Sequence, residues 1–476
     1  MPRRHSLRAA TGALALLLTA ACSGGSSASP ASSDSSGDTD RPRPGARGVG
    51  DTLFPGLGNG GYDVSHYGLD LDYVPDGNHL RGTARISART TRALSSLNLD
   101  LAGLRVRAAT VDGRPAAVRR SGTELTLTPA RALAARHAFT ATVAYEGTPR
   151  TLTGEDGSEE GWIETEDGSA ALGEPSGSMT WFPGNHHPSD KAAYDIAVTV
   201  PEGFTAVAGG EPRARRNHDG RTTFRWHSAE PMASYLATVA VGTFAVHRGE
   251  AGGVPYRVAV DPAQKRDAAR VPADVARVTA WQERVFGPYP FSSTGAVVDD
   301  LPGLDYALET QTRPYFGEAP DTLLLEHELA HQYFGDSVTP RRWKDIWLNE
   351  GFATYSEWLW EEDHGGRSAQ RIFQDHYDGG DDQSPGIWAF PPGSPPSAAH
   401  LLDPPVYGRG AMVLHQVRRA VGDATFFPLL RAWVREHRHG NADTEQFIAL
   451  CERRSGKDLG SLFDTWLYGE GKPDLP

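Results

Sequence analysis

Two stretches decide the reading of this 476-residue chain: Leu323-Leu324-Leu325-Glu326-His327-Glu328-Leu329-Ala330-His331-Gln332-Tyr333-Phe334-Gly335 and Trp347-Leu348-Asn349-Glu350-Gly351-Phe352-Ala353-Thr354-Tyr355. The first has the apolar content of a buried helix, with Asp321 placed to cap its start and Gly335 placed to end it. On a helix His327 and His331 are one turn apart, so both imidazoles face one point, as two ligands of a tetrahedral zinc ion must. Glu328 is rotated by about 100° from His327, within reach of a water at the metal but not placed as a ligand. Glu350 follows His331 after enough chain for one helix to end and a second to return. It would complete a His-His-Glu set that leaves a fourth position open for water.

Working outward, the chain changes character around residue 250. Before it, short alternating runs such as Tyr67-Gly68-Leu69-Asp70-Leu71-Asp72-Tyr73 and Glu124-Leu125-Thr126-Leu127-Thr128 are separated by turn signals such as Asp112-Gly113 and Asp219-Gly220. That pattern implies many short strands and a large antiparallel β-sandwich. After it the apolar period becomes helical over 274–286, 321–334, 346–361, 410–420, 426–437 and 444–454. The expected fold is therefore multidomain α+β, with an antiparallel β-sandwich over 59–250 and a mainly α-helical domain, carrying the candidate metal ligands, over 251–476.

The N-terminus reads as a targeting segment over 1–21. Arg3, Arg4 and Arg8 precede a 13-residue apolar run, 9–21, which is too short to span a bilayer of roughly 30 Å. Small residues then lead into Cys22, a pattern similar to a bacterial lipoprotein signal in which that cysteine is lipidated. Residues 22–58 are poor in apolar side chains and read as a flexible spacer. An exported chain anchored on the outer face of the cell membrane, or secreted, is the expectation. With Cys22 used in this way, Cys451 cannot form an internal disulfide, and a small buried residue is its simplest reading. Two cysteines exclude a disulfide scaffold. A net charge of −13 with no block of basic residues argues against a nucleic-acid partner.

The two quoted stretches resemble the signature segments of the aminopeptidase-N-like family of gluzincin zinc metallopeptidases, at that family's spacing, in a short lipoprotein form. The resemblance extends over roughly 62–476 and implies a thermolysin-like catalytic domain holding one zinc ion through His327, His331 and Glu350. It assigns further roles by position. Tyr306-Ala307-Leu308-Glu309-Thr310 is similar to the exopeptidase motif, so Glu309 matches the carboxylate that binds the substrate's free α-amine. Tyr306, Leu308 and Thr310 depart from the usual Gly, Met and Asn. Glu174-Pro175 resembles the segment supplying a second amine anchor, which assigns Glu174 that role. Asn185-His186-His187-Pro188 stands where acidic residues are usual, and His186 and His187 read as surface histidines. Val406-Tyr407-Gly408-Arg409 resembles the segment whose tyrosine donates to the developing oxyanion, here Tyr407, while Arg409 is either structural or a contact for a substrate carboxylate. Glu328 is implied as the general base that later protonates the leaving amine. The implied activity is removal of N-terminal residues from peptides with a free N-terminus. A zinc endopeptidase with no need of a free amine and a lipid-anchored binding protein without catalysis are the competing readings. The sequence leaves the oligomeric state open.

Overall fold

The computed structural model describes residues 41–304, 306–379 and 386–475. The signal segment and Cys22 lie outside the described residues. The β-rich part is built on an eight-stranded sheet in the order Glu211–His218, Arg221–Ala233, Lys191–Pro201, Tyr62–Val74, His79–Thr90, Ala138–Gly147, Arg105–Val111, Arg114–Pro115. It is antiparallel except where Lys191–Pro201 runs parallel to Tyr62–Val74. A four-stranded and a five-stranded sheet accompany it. Strand Tyr62–Val74 shows how the pattern sets the face. Tyr62 and Val64 point inward, a register irregularity falls between Val64 and His66, and from there Tyr67, Leu69, Leu71 and Tyr73 are the buried set. The extra residue at the bulge changes which parity faces the core.

Among the described residues eight α-helices follow: α1 (Val271–Phe286), α2 (Thr322–Ala330), α3 (Trp347–Asp363), α4 (Ala369–Asp378), α5 (Gly410–Val421), α6 (Asp423–His437), α7 (Thr444–Ser455) and α8 (Gly460–Trp466). The helical periodicity locates α1, α3, α5, α6 and α7 to within a few residues. Helix α2 stops at Ala330, one turn short of the expected Phe334, and a tight turn carries the chain on to Gly335. Five strands that the helical reading passed over form a sheet in the order Ala245–Ala251, Val254–Val260, Thr294–Val298, Tyr315–Phe316, Ala307–Leu308. The 250/251 boundary drawn from the change of period falls inside the first hairpin of this sheet. One continuous apolar core runs from the β-rich part through the helices.

Two expectations need correction. The spacer does not extend untethered to residue 58. Arg43–Pro44 pairs with Leu94–Asp100, and the buried Asp51 carboxylate accepts from the backbone N–H groups of Leu53 and Phe54 and, at 2.9 Å, from that of Trp343. Backbone pairing and one well-satisfied carboxylate anchor a segment that apolar burial alone could not order. Nor are His186 and His187 on the surface. Each is about 97–98% buried. His187 Nε2 lies 3.2 Å from Asp51 Oδ2, and His186 Nε2 lies 3.0 Å from the Phe182 carbonyl. Burial lowers the His186 pKa to about 4, so its ring stays neutral. Cys451 is buried, as expected. Among the described residues no helix is long and apolar enough to cross a membrane.

Candidate metal centre and active site

Helix α2 begins where the sequence says it should, with Asp321 Oδ1 accepting from the Leu324 N–H at 2.9 Å. His327 and His331 then fall one turn apart, with ring centroids 4.8 Å from each other. Helix α3 packs across α2 and brings in Glu350. Glu350 Oε2 lies 3.4 Å from His327 Nε2 and 3.3 Å from His331 Nε2. Four donors about 2.0–2.1 Å from a tetrahedral zinc stand about 3.3–3.4 Å apart, so these spacings are tetrahedron edges. The donor set of two imidazoles and one carboxylate, all buried, fits zinc.

The far side of each ring is held as a metal ligand requires. His327 Nδ1–H donates to Glu357 Oε1 at 2.7 Å, and His331 Nδ1–H to the Phe334 carbonyl at 3.1 Å. Both bonds leave Nε2 free to face the metal. Burial opposes ionisation of Glu350, yet the adjoining His331 and His327 hold it well below the ordinary carboxylate range. Gly335 has φ 131°, and a Cβ there would sit 3.1 Å from Asn349 Nδ2 and 3.3 Å from His331 Nδ1. Only glycine lets the turn after α2 pass this close to a ligand ring.

Glu328 is also buried, and its Oε2 has no hydrogen-bond partner. Burial pushes its carboxyl up to about 7, against the pull of His327 and His331. Tyr407 lies in a π-helical turn, Pro405–Arg409, with its ring stacked 6.2 Å from that of His327. Burial and the charges of Glu350, Glu174, Glu309 and Glu328 raise its pKa well above 10, so the phenol remains a donor. The approach of this turn depends on a glycine pair. A Cβ on Gly351 would meet Gly410 backbone at 2.9 Å, and one on Gly410 would meet Gly351 Cα at 3.0 Å. Helices α3 and α5 therefore cross at backbone contact, beside Glu350 on α3 and the π-helical turn that carries Tyr407 into α5.

Glu309 follows the edge strand Ala307–Leu308, and Glu174 comes from the β-rich part. Both are buried and have an oxygen without a partner. Carboxylate oxygens of Glu174, Glu309 and Glu350 all lie within 4.8 Å of one another. Burial first, and then the neighbouring charges, push the Glu174 carboxyl well up; burial likewise raises that of Glu309. Such a crowd is short of one positive charge. The cleft around it has a volume of about 730 Å³ and is lined by Glu174, Glu309, Glu328 and Tyr407 together with the three ligands. Tyr306 reaches out of its motif to donate to the Glu159 carbonyl at 2.5 Å, joining the two walls.

Arg409 is not in the cleft. It is fully buried and donates to the Trp466, Thr465 and Gly469 carbonyls, which settles it as structural. Sequence reading missed Glu357 and Gln332. Gln332 Nε2 donates to the Glu309 carbonyl at 3.1 Å, while its Oε1 accepts from the Thr312 N–H at 2.6 Å. It thereby clips the Glu309 loop to the turn after α2. Glu357 lies two helical turns beyond Glu350 on α3, and that spacing was its one available signal.

Comparison with known proteins agrees with this geometry. Residues 63–236 match the peptidase M1 N-terminal domain, and residues 319–466 match the peptidase family M1 domain. The structure is similar to that of an M1 zinc metallopeptidase from Deinococcus radiodurans, at 31% identity and a TM-score of 0.83, covering 90% of this chain and 99% of that one. Among curated sequences it is 28% identical over 329 residues to glutamyl aminopeptidase of Bos taurus and 27% identical over 325 residues to aminopeptidase N of Lactococcus lactis. Those matches take in 63% and 61% of this chain but 34% and 38% of the relatives, so the chain spans about a third of their length. Both family domains, in order, on a fold shared with a two-domain zinc peptidase, establish that the chain belongs to peptidase family M1.

Proposed function

We propose that the protein is a zinc-dependent aminopeptidase that removes N-terminal residues from peptides. The observation that carries this reading is the cluster of Glu174, Glu309 and Glu350, whose buried carboxylates crowd within 4.8 Å beside the metal ligands. An α-ammonium supplies the missing charge and fixes the distance from the substrate's N-terminus to the ligand set, so that the first peptide bond is presented. Zinc bound by His327, His331 and Glu350 supplies Lewis acidity at the scissile carbonyl and acidifies water. Glu328, pushed by burial towards neutrality, takes a proton on Oε2 from the attacking water and passes it to the departing amine. Tyr407 donates its phenolic hydrogen to the carbonyl oxygen as charge builds there. A variant of the Deinococcus radiodurans enzyme has been seen with a Tyr-Ser-Ala substrate, which supports peptides as the substrate class.

The segment around Cys22 supports export, lipidation of that cysteine and action on the outer side of the membrane. Export and lipidation are tested by the mass of the mature N-terminus and by membrane fractionation with and without Cys22→Ala. Activity is tested with an aminoacyl amide and its N-acetylated form. The free-amine compound should be cleaved and the blocked one spared by several orders of magnitude. Equal cleavage of both would instead mark an endopeptidase, and cleavage of neither by the zinc-loaded chain would mark a binding protein.

A further inference from the structure

Away from the cleft, a cavity of about 460 Å³ opens between strands Glu211–His218 and Arg221–Ala233 on one side and the hairpin Ala245–Ala251 with Val254–Val260 on the other. Its floor is apolar, with Phe224, Trp226 and Phe244 each at least nine-tenths buried. Six arginines line it (Arg213, Arg215, Arg225, Arg248, Arg257 and Arg313), and no Asp or Glu does so among the described residues. In a chain of net charge −13 this concentration needs a physical reason. Three of the six are neutralised or shielded. Arg213 pairs with Glu211 at 3.6 Å, Arg225 faces Asp70 at 3.9 Å, and Arg215 lies over the Phe224 ring.

Arg248, Arg257 and Arg313 have no carboxylate within ion-pair distance among the described residues. Arg248 and Arg257 are direct cross-strand partners on the hairpin, an arrangement that places like charges opposite each other and is destabilising by itself. Arg313 is fully buried at the floor, with its guanidinium 4.9 Å from the Trp226 ring. It donates from Nη1 to the Ala208 carbonyl and to Thr312 Oγ1, but its Nε and Nη2 have no partner. Burial and the Arg257 charge draw its pKa down to about 9, against the opposing pull of Tyr289 and Glu211. A buried guanidinium with two idle donors, under a pair of mutually repelling guanidiniums, is a site short of an anion.

We propose that this cavity binds a phosphate-class oxyanion, held by Arg313 at the floor and by Arg248 and Arg257 at the mouth. A dianion with several oxygens accepts from the Arg248 and Arg257 guanidiniums, screens their cross-strand repulsion and offsets the Arg313 charge buried just beneath the floor. The recess of Arg313 suits a free anion over a headgroup in a flat bilayer. Glu309 immediately precedes the turn closed by the Arg313 N–H donating to the Thr310 carbonyl at 3.0 Å, so the anion site and the cleft lie on one continuous backbone segment.

The test is titration of the zinc-loaded full chain with inorganic phosphate at constant ionic strength, read by calorimetry and by thermal unfolding. A saturable one-to-one isotherm and a saturable rise in Tm are expected. Arg257→Gln should weaken binding about tenfold, and Arg248→Gln with Arg257→Gln by about a hundredfold. Without phosphate the double variant should unfold at or above the wild-type temperature, because repulsion has been relieved; with phosphate the wild type should overtake it. A Tm rise that never saturates, binding that survives the double substitution, or a double variant less stable than wild type in phosphate-free buffer would each overturn the proposal. So would binding to phosphatidylglycerol vesicles through these arginines with no response to free phosphate.

Discussion

Replacing Glu357 by Gln probes how the metal site is held without touching a metal ligand. Glu357 Oε1 accepts from His327 Nδ1 at 2.7 Å, a charge-assisted length, and its side chain is 19% exposed. Gln keeps an acceptor, so the imidazole keeps its tautomer and orientation but loses the negative charge behind it. A charge-assisted bond contributes about 1.5–3 kcal/mol against about 0.5–1.5 for a neutral one, a difference near 1–1.5 kcal/mol. That alone weakens zinc binding about 5- to 15-fold, and losses on removing such partners run to about 10- to 100-fold. Glu357→Leu also removes the acceptor and should fall at the upper end. The assay is competition for zinc against a fluorescent chelator at fixed pH, alongside kcat at saturating zinc. The expected order of affinity is wild type, Glu357→Gln, Glu357→Leu, with kcat of zinc-saturated Glu357→Gln largely retained. Three equal affinities would refute the idea that the Nδ1 contact sets ligand strength.

Four further outcomes follow from the geometry. Glu328→Ala should keep its zinc and lose turnover of an aminoacyl amide, as metal analysis beside a rate assay will read. Tyr407→Phe should lower kcat about 100- to 1000-fold while leaving KM near wild type, because its hydroxyl acts on charge that develops only during reaction. Gly351→Ala should force α3 and α5 apart, lowering Tm and kcat together, whereas Ala on the exposed face of α3 should do neither. Asp190 is partly buried, accepts from the Val64 N–H and from Asn185 Nδ2, and is raised by desolvation to about 8. The folded chain keeps this proton after the unfolded chain has lost it near pH 4. Its contribution to stability is therefore complete below pH 4 and is lost as pH rises towards 8. Asp190→Asn should gain stability relative to wild type across that window, by at most about 1.4 kcal/mol per pH unit in denaturant titrations, and a flat difference would contradict it.

What could be read in advance follows from how local each feature is. The pair His327 and His331 needs only helical spacing, and Glu350 needs only a returning helix, so the ligands were visible. Alternation in Tyr62–Val74 revealed a strand, but Glu124–Thr128 alternates in sequence while four of its five residues are buried, so both of its faces are covered. The sheet beneath α1 escaped notice because Thr294–Val298 is a fully buried run and Ala307–Leu308 has two residues, both too short for a period to register. Buried His187 depends on Asp51, 136 residues earlier, and ordered Asp51 depends on the Trp343 N–H, 292 residues later. Gln332, Glu357 and Arg313 owe their meaning to partners chosen by the fold.

Anomalous scattering at the zinc edge, from crystals of the purified full chain, tests the central claim most directly. The account predicts one strong peak about 2.0–2.1 Å from His327 Nε2, His331 Nε2 and a Glu350 oxygen. Zinc-supplemented crystals with no peak there, or with the metal held by other residues, would contradict it.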